Sequence, residues 1–246
     1  MKKFAMLIVA LVAACSVASA QYLCTTPGTV LTYRETNAKE KIDQTFKATI
    51  IDVTTAEDGT VSARVEEKHP VPGNRLSELT SYMGYSFNPA DTVTTVTLMT
   101  PDDFKISLAE SIREMGVQAG QSISDSQIAE ILDGAKISGH LTVPLAPNAA
   151  VDTKFANSTL RCSMMGQMMS FRMTKGLYKG FETIETEAGK FDCIKITYVL
   201  SLPEGGAQYT TQWYAPGVGL IRDIDCNKKG EIQQEQVLTA ITAPAE

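Results

Sequence analysis

The chain has 246 residues, a net charge of −6, and 43% hydrophobic against 20% charged residues. Those proportions describe a folded globular protein with enough chain to bury a core, and exclude disordered, collagenous and coiled-coil classes. The excess of acids argues against nucleic acid, whose phosphates need clustered Lys and Arg, and only two histidines (His69, His140) with one tryptophan (Trp213) remove most metal sites and most His-dependent catalysis.

Residues 1–20 read as an export signal. Lys2 and Lys3 form the positive start, Phe4 to Val12 the apolar stretch, and Ala18-Ser19-Ala20 the small-residue cleavage site, leaving one β-rich domain over residues 21–246. The apolar stretch is too short to span a bilayer, and no later stretch approaches the roughly 20 residues a membrane helix needs. Val12-Ala13-Ala14-Cys15 also fits a lipobox, so a lipoprotein anchored at Cys15 is the alternative to a free protein in the periplasm or at the surface of a diderm bacterium. Four cysteines lie beyond the signal: Cys24, Cys162, Cys193 and Cys226. An even count in an exported chain suggests two disulfides, of any of three connectivities, with one bridge and two buried thiols as the rival.

Alternating patterns predict strands over residues 29–33, 45–53 and 60–65, the last two joined by the turn signal Glu57-Asp58-Gly59. Residues 69–74, with two prolines and a glycine, read as a loop, and residues 75–82 as a short helix. Thr- and Val-rich residues 92–99 read as a strand. Residues 108–115 read as a helix stopped by Gly116. Ser124-Asp125-Ser126-Gln127 is a capping-box pattern ahead of Ile128, Ile131 and Leu132, which predicts a short amphipathic helix to Asp133. Beyond Gly134 and Gly139 the pattern is extended. Residues 155–173 hold one or two strands and residues 180–186 another. Four more strands, over residues 191–202, 207–214, 218–226 and 232–241, are joined by tight turns into an antiparallel meander. On the first of these, Ile194, Ile196, Tyr198 and Leu200 share the core face, with Phe191, Cys193, Lys195 and Thr197 opposite.

The C-terminal meander carries a recognisable signature. Trp213-Tyr214-Ala215-Pro216-Gly217-Val218-Gly219-Leu220-Ile221-Arg222 follows Glu187-Ala188-Gly189-Lys190-Phe191-Asp192-Cys193-Ile194, and upstream stand Cys24 and Gly28-Thr29-Val30-Leu31-Thr32-Tyr33. Together these resemble the TapB-like family of exported bacterial proteins and related domains of unknown function. The resemblance implies a β-rich envelope protein and supplies no catalytic residues.

The chemistry-bearing motifs are few. Five of ten methionines lie within residues 162–173. Thioethers beside a thiol suit soft Cu(I), but unbranched Met also fills irregular cores and lines adaptable apolar walls, so no metal and no cofactor is assigned. Asp223-Ile224-Asp225-Cys226-Asn227 resembles the opening of a calcium loop but has Lys228 where the loop needs Gly, and reads as a hairpin turn. Adjacent acids such as Glu66-Glu67 and Asp102-Asp103 face opposite ways on a strand and read as solvated. No nucleophile elbow, phosphate loop, dinucleotide fingerprint or Cys-x-x-Cys occurs.

These features converge on a mainly β protein: a curved antiparallel sheet or partial barrel with short helices in the middle region. The expected function is non-enzymatic binding of a lipid or other apolar small molecule in the periplasm, with Met164, Met165, Met168, Met169 and Trp213 near the mouth. The alternative is a structural or assembly factor that binds other envelope proteins through a sheet edge.

Overall fold

The computed structural model describes residues 21–37, 41–71, 74–164, 166–203 and 205–244. The signal segment, Cys15 and Met165 lie outside them. Strands β1 (Val30–Asn37), β2 (Ile42–Thr55), β3 (Val61–Val71), β4 (Asn74–Asn88) and β5 (Val93–Met99) come first, then helices α1 (Pro101–Gln118) and α2 (Asp125–Asp133). Strands β6 (Lys136–Leu145), β7 (Ser158–Met164), β8 (Gln167–Thr186), β9 (Gly189–Ser201), β10 (Ala207–Ala215), β11 (Gly219–Cys226) and β12 (Ile232–Thr242) complete the chain. Each strand pairs antiparallel with its neighbours in sequence, and β12 returns to β1. The expected curved sheet is therefore a closed barrel, and closure removes most of the free edge that an open sheet would expose.

The turns form where their local chemistry fixes them. After Glu57-Asp58 the Asp58 carboxylate accepts the Thr60 N–H at 2.9 Å, and at the last hairpin Asn227 Oδ1 accepts from the Lys229 and Glu231 N–H groups. Both helices start as their sequences dictate. Thr100 caps α1 by accepting from the Asp103 N–H, and Ser124 and Gln127 form the full capping box of α2.

Four local expectations are corrected. Residues 75–82 belong to strand β4, not a helix, because Thr80, Tyr82, Tyr85 and Phe87 are held in register against β3 from Lys68 to Val61. Within the predicted loop at 69–74, His69, Pro70 and Val71 belong to β3 and Asn74 to β4, while residues 72–73 lie outside the described residues. Gly116 lies inside α1 and does not end it: a side chain there would meet Ile123 at 2.7 Å, so its small size serves the close return of the chain. Residues 180–186 continue the twenty-residue β8 through bulges near Gly176 and Gly180.

The interior is filled. Phe87, Val96, Leu141, Val143, Leu145, Leu160, Met173, Ile194, Ile196, Tyr214 and Leu238 are buried, while Leu200 is half-buried. Residues 21–28 close one end: Tyr22 and Leu23 are each 1% exposed, the Tyr22 N–H donates to Thr94 Oγ1 at 3.1 Å, and the Gly217 N–H donates to the Gln21 carbonyl at 2.7 Å. Cys193 is a further correction. It lies on the strand face opposite Ile194 yet is fully buried, beside Tyr22, and burial pushes its thiol up to about 12.

The expected pair of disulfides is also corrected: Cys24, Cys162, Cys193 and Cys226 are free thiols. A bridge needs Cα atoms within about 7 Å, and adjacent strands alone are nearly 5 Å apart. Cys162 on β7 and Cys226 on β11 have three strands between them, and Cys193 on β9 is separated from Cys226 by β10 and by register.

Candidate functional site

At the end of the barrel opposite Tyr22, the inward faces divide into a polar wall and an apolar wall. The polar wall is built from strands at period two: Glu35 on β1 continues the face of Leu31 and Tyr33, and Glu67 and His69 on β3 continue that of Val65. His69 sits between the two acids, with Nδ1 3.7 Å from Glu35 and Nε2 3.5 Å from Glu67, and its ring stacks on Phe46. Gln44 and Gln234 donate to Glu35 at 3.1 and 2.7 Å, and Ser81 donates to Glu67 at 3.1 Å. Burial alone would lower the His69 pKa, but the hydrogen bonds to Glu35 and Glu67 and their charges raise it to about 9. The hydrogen bond from His69 in turn holds Glu35 below the usual carboxylate range, against the opposing effect of burial.

Asp223 and Asp225 extend this wall along β11. The Gln212 amide donates to Asp223 Oδ2 at 3.1 Å, Thr210 donates to Asp225, and Tyr214 donates to Gln212 at 2.9 Å. The other oxygen, Asp223 Oδ1, is shielded from solvent and meets no donor among the described residues. Burial, and then the charge of Asp225, push the Asp223 carboxyl well above its ordinary value.

The apolar wall comes from β7 and β8. Leu160, Cys162 and Met164 face inward on β7, opposite Phe171, Met169 and Gln167 on β8. Helix α1 meets this wall across a seam. β4 pairs with β5 only from Gly84 to Asn88, so β4 above Gly84 and β6 below Leu141 are not bridged by β5. α1 fills that seam: Phe104 packs edge-on against Phe171 with ring centroids 5.7 Å apart, Asp103 pairs with Arg64 at 2.8 Å, and Glu110 accepts the Thr80 N–H at 2.7 Å. Behind the polar wall, among Tyr33, Ile50, Val65, Glu67, Met83 and Tyr85 of β1–β4, an enclosed cavity of about 10 Å³ has room for one water at most.

The sequence-predicted site residues do not converge. Met164 and Met169 are half-buried on the inner face, Met168 points outward and is 74% exposed, and Met165 lies outside the described residues. Trp213 lies on the outer face, 5% exposed. Its indole N–H donates to Glu182 at 3.0 Å, and Lys195 and Arg222 stand 4.9 and 5.4 Å from the ring centre. Asp223–Cys226 are strand rather than turn, and the turn begins at Asn227. His140 is exposed on β6. The polar wall was missed, although period two carried a signal: Glu67 and His69, like Asp223 and Asp225, are two apart and share a face.

Fold and interior together define a class: a closed up-and-down β-barrel with a two-helix insertion over a seam and a packed lumen. Residues 95–238 match the DUF3108-like family model, and the chain belongs to the DUF3108-like family. That family, rather than the TapB-like one, is the affiliation shown. Two crystal structures share the fold. One is a protein named as exported, with a YmcC-like fold, from Bacteroides fragilis, at TM-score 0.62 and 17% identity over 91% of this chain and 99% of that one. The other is a protein named as a lipoprotein from Parabacteroides distasonis, at TM-score 0.62 and 16% identity over 92% and 100% of the two chains. No curated protein matches the sequence. No helix among the described residues is long and apolar enough to cross a membrane.

Proposed function

We propose that this is an exported, non-enzymatic protein of the bacterial envelope, free in the periplasm or anchored at Cys15. In this reading it works on its outer surface, as a structural or assembly factor for other envelope proteins. The names of the two proteins that share its fold support export. One observation carries the surface reading: inward side chains from nearly every strand pack into one buried cluster, and the enclosed cavity beside Tyr33 and Glu67 is only about 10 Å³, whereas pockets for drug-sized ligands occupy about 300 Å³ or more. Among the described residues β8 offers a stretch of unpaired edge. β8 outruns β7 beyond Met173, segment 152–155 covers positions 176–178, and residues 179–186 have no strand on that side among the described residues. Phe181 and Val151, each 62% exposed, flank this edge, which suits an extended segment of a partner protein. We also propose that the Trp213–Arg222 signature marks kinship with the TapB-like family.

The experiment is photo-crosslinking in the envelope from positions 181 and 51, with Thr183→Lys as an edge-blocking variant. Discrete adducts to one envelope protein from 181 alone, abolished when Lys occupies the edge elsewhere along residues 179–186, are expected. Equal adducts from both positions, or none, contradict the reading.

A second reading is favoured by the seam under α1. An apolar molecule would enter there by displacing Phe104 from Phe171, with Met164 and Met169 as its wall. Incubation with envelope phospholipid separates the two readings, because only this one yields a retained lipid.

A further inference from the structure

We propose that the β7–β8 hairpin carries a copper(I) site formed by Cys162, Met164 and Met169. The register sets Cys162 directly opposite Met169, and Met164, two residues along β7, shares the same inward face. Directly opposed side chains in an antiparallel pair have Cβ atoms about 5 Å apart, and a thioether has the length and freedom to turn its sulfur onto a shared centre. Three soft donors on one face, with Ile137 facing Cys162 from β6, present sulfur and no carboxylate or imidazole. Thiolate and thioether donors select Cu(I); Ca(II) and Mg(II) need several oxygen ligands, and Zn(II) takes thiolate, imidazole or carboxylate rather than thioether.

Charge supports the same choice. On binding, Cu(I) replaces the Cys162 thiol proton, which leaves to solvent; one Sγ–Cu bond forms, one S–H bond breaks, and copper stays in the +1 state. The resulting thiolate–copper(I) unit is neutral and sits in an apolar wall without an uncompensated charge, which a divalent ion would impose. Leu160 and Phe171 continue the wall away from the tip, and Phe104 backs Phe171. Met168, outward-facing and exposed, is not a ligand. This inference is independent of the surface reading, since nothing in it involves the β8 edge.

The test is anaerobic titration of the exported protein with Cu(I) in competition with bicinchoninate, followed by X-ray absorption of the complex. The expected result is one equivalent withdrawn from the chelator into sulfur-only coordination. The double variant Met164→Leu/Met169→Leu keeps volume and apolarity, so the barrel folds, and binds about tenfold or more weakly. Met168→Leu binds like the parent. Folded parent protein that leaves all copper with the chelator, or a double variant that binds as tightly as the parent, overturns the proposal.

Discussion

The two walls at the helix end of the barrel stabilise the same structure by opposite means. The β7–β8 wall works by exclusion: Leu160 and Cys162 are fully buried, opposite Phe171 and Met169. The polar wall around His69 works by mutual satisfaction, with Glu35 and Glu67 tied to His69, Gln44, Gln234 and Ser81. An apolar wall loses stability in proportion to removed volume and is indifferent to pH. A polar wall tolerates small losses of volume but depends on the protonation state of each member.

Truncation of the apolar wall gives the largest effect. Leu160→Ala should cost about 2–5 kcal/mol in urea unfolding, at the same value from pH 6 to 9, because the change leaves a void and no charge. His69→Ala should cost about 1–3 kcal/mol at pH 7, because two partly buried carboxylates lose their shared cation. The pH dependence follows from the raised pKa of His69. Its folded value, about 9, exceeds the ordinary 6.5, so its contribution is complete below pH 6.5 and is lost as pH rises through 9. Stability of the parent should fall over that window, and His69→Gln should flatten much of the fall.

Asp223→Asn should act in the opposite direction, raising stability at pH 7 by about 1 kcal/mol, since it removes an acid whose charged form is disfavoured by burial and by Asp225. The carboxyl's raised pKa means its contribution is present at low pH and is lost as pH rises above the ordinary carboxylate range, so the gain should widen with pH. Met168→Ser, exposed at the hairpin tip, should change stability by less than about 0.5 kcal/mol. Equal costs for Met168→Ser and Leu160→Ala would erase the distinction between the two faces of that hairpin.

Much of the barrel was legible because the sheet is a meander. Each turn is written in adjacent residues, as at Glu57-Asp58-Gly59 and Asn227-Lys228-Lys229-Gly230, and each strand pairs with the next. The capping box at Ser124 named its helix for the same reason. Residues 75–82 misled because Leu76, Leu79 and Tyr82 also fit a helical spacing, and only pairing with β3 decides for strand. Barrel closure was not legible, because the β1–β12 pairing joins residues some 200 positions apart, as Val30 with Thr242. The polar wall was hidden by a rule that holds for most surfaces. Adjacent acids such as Glu66-Glu67 were read as solvated, yet the alternation that sends Glu66 outward sends Glu67 into the barrel, where His69 meets it. Trp213 invited a binding role by being the single tryptophan, but its ring is occupied by Glu182, Lys195 and Arg222 on the outer face.

The central claim is that the lumen is occupied by the protein's own side chains, leaving recognition to the outer surface. Native mass spectrometry of the exported protein, before and after incubation with envelope phospholipid, tests it most directly. The account predicts the mass of the polypeptide with its own processing and no retained lipid under either condition. A reproducible additional mass of lipid size, surviving gentle purification, would contradict it and establish the barrel as a carrier.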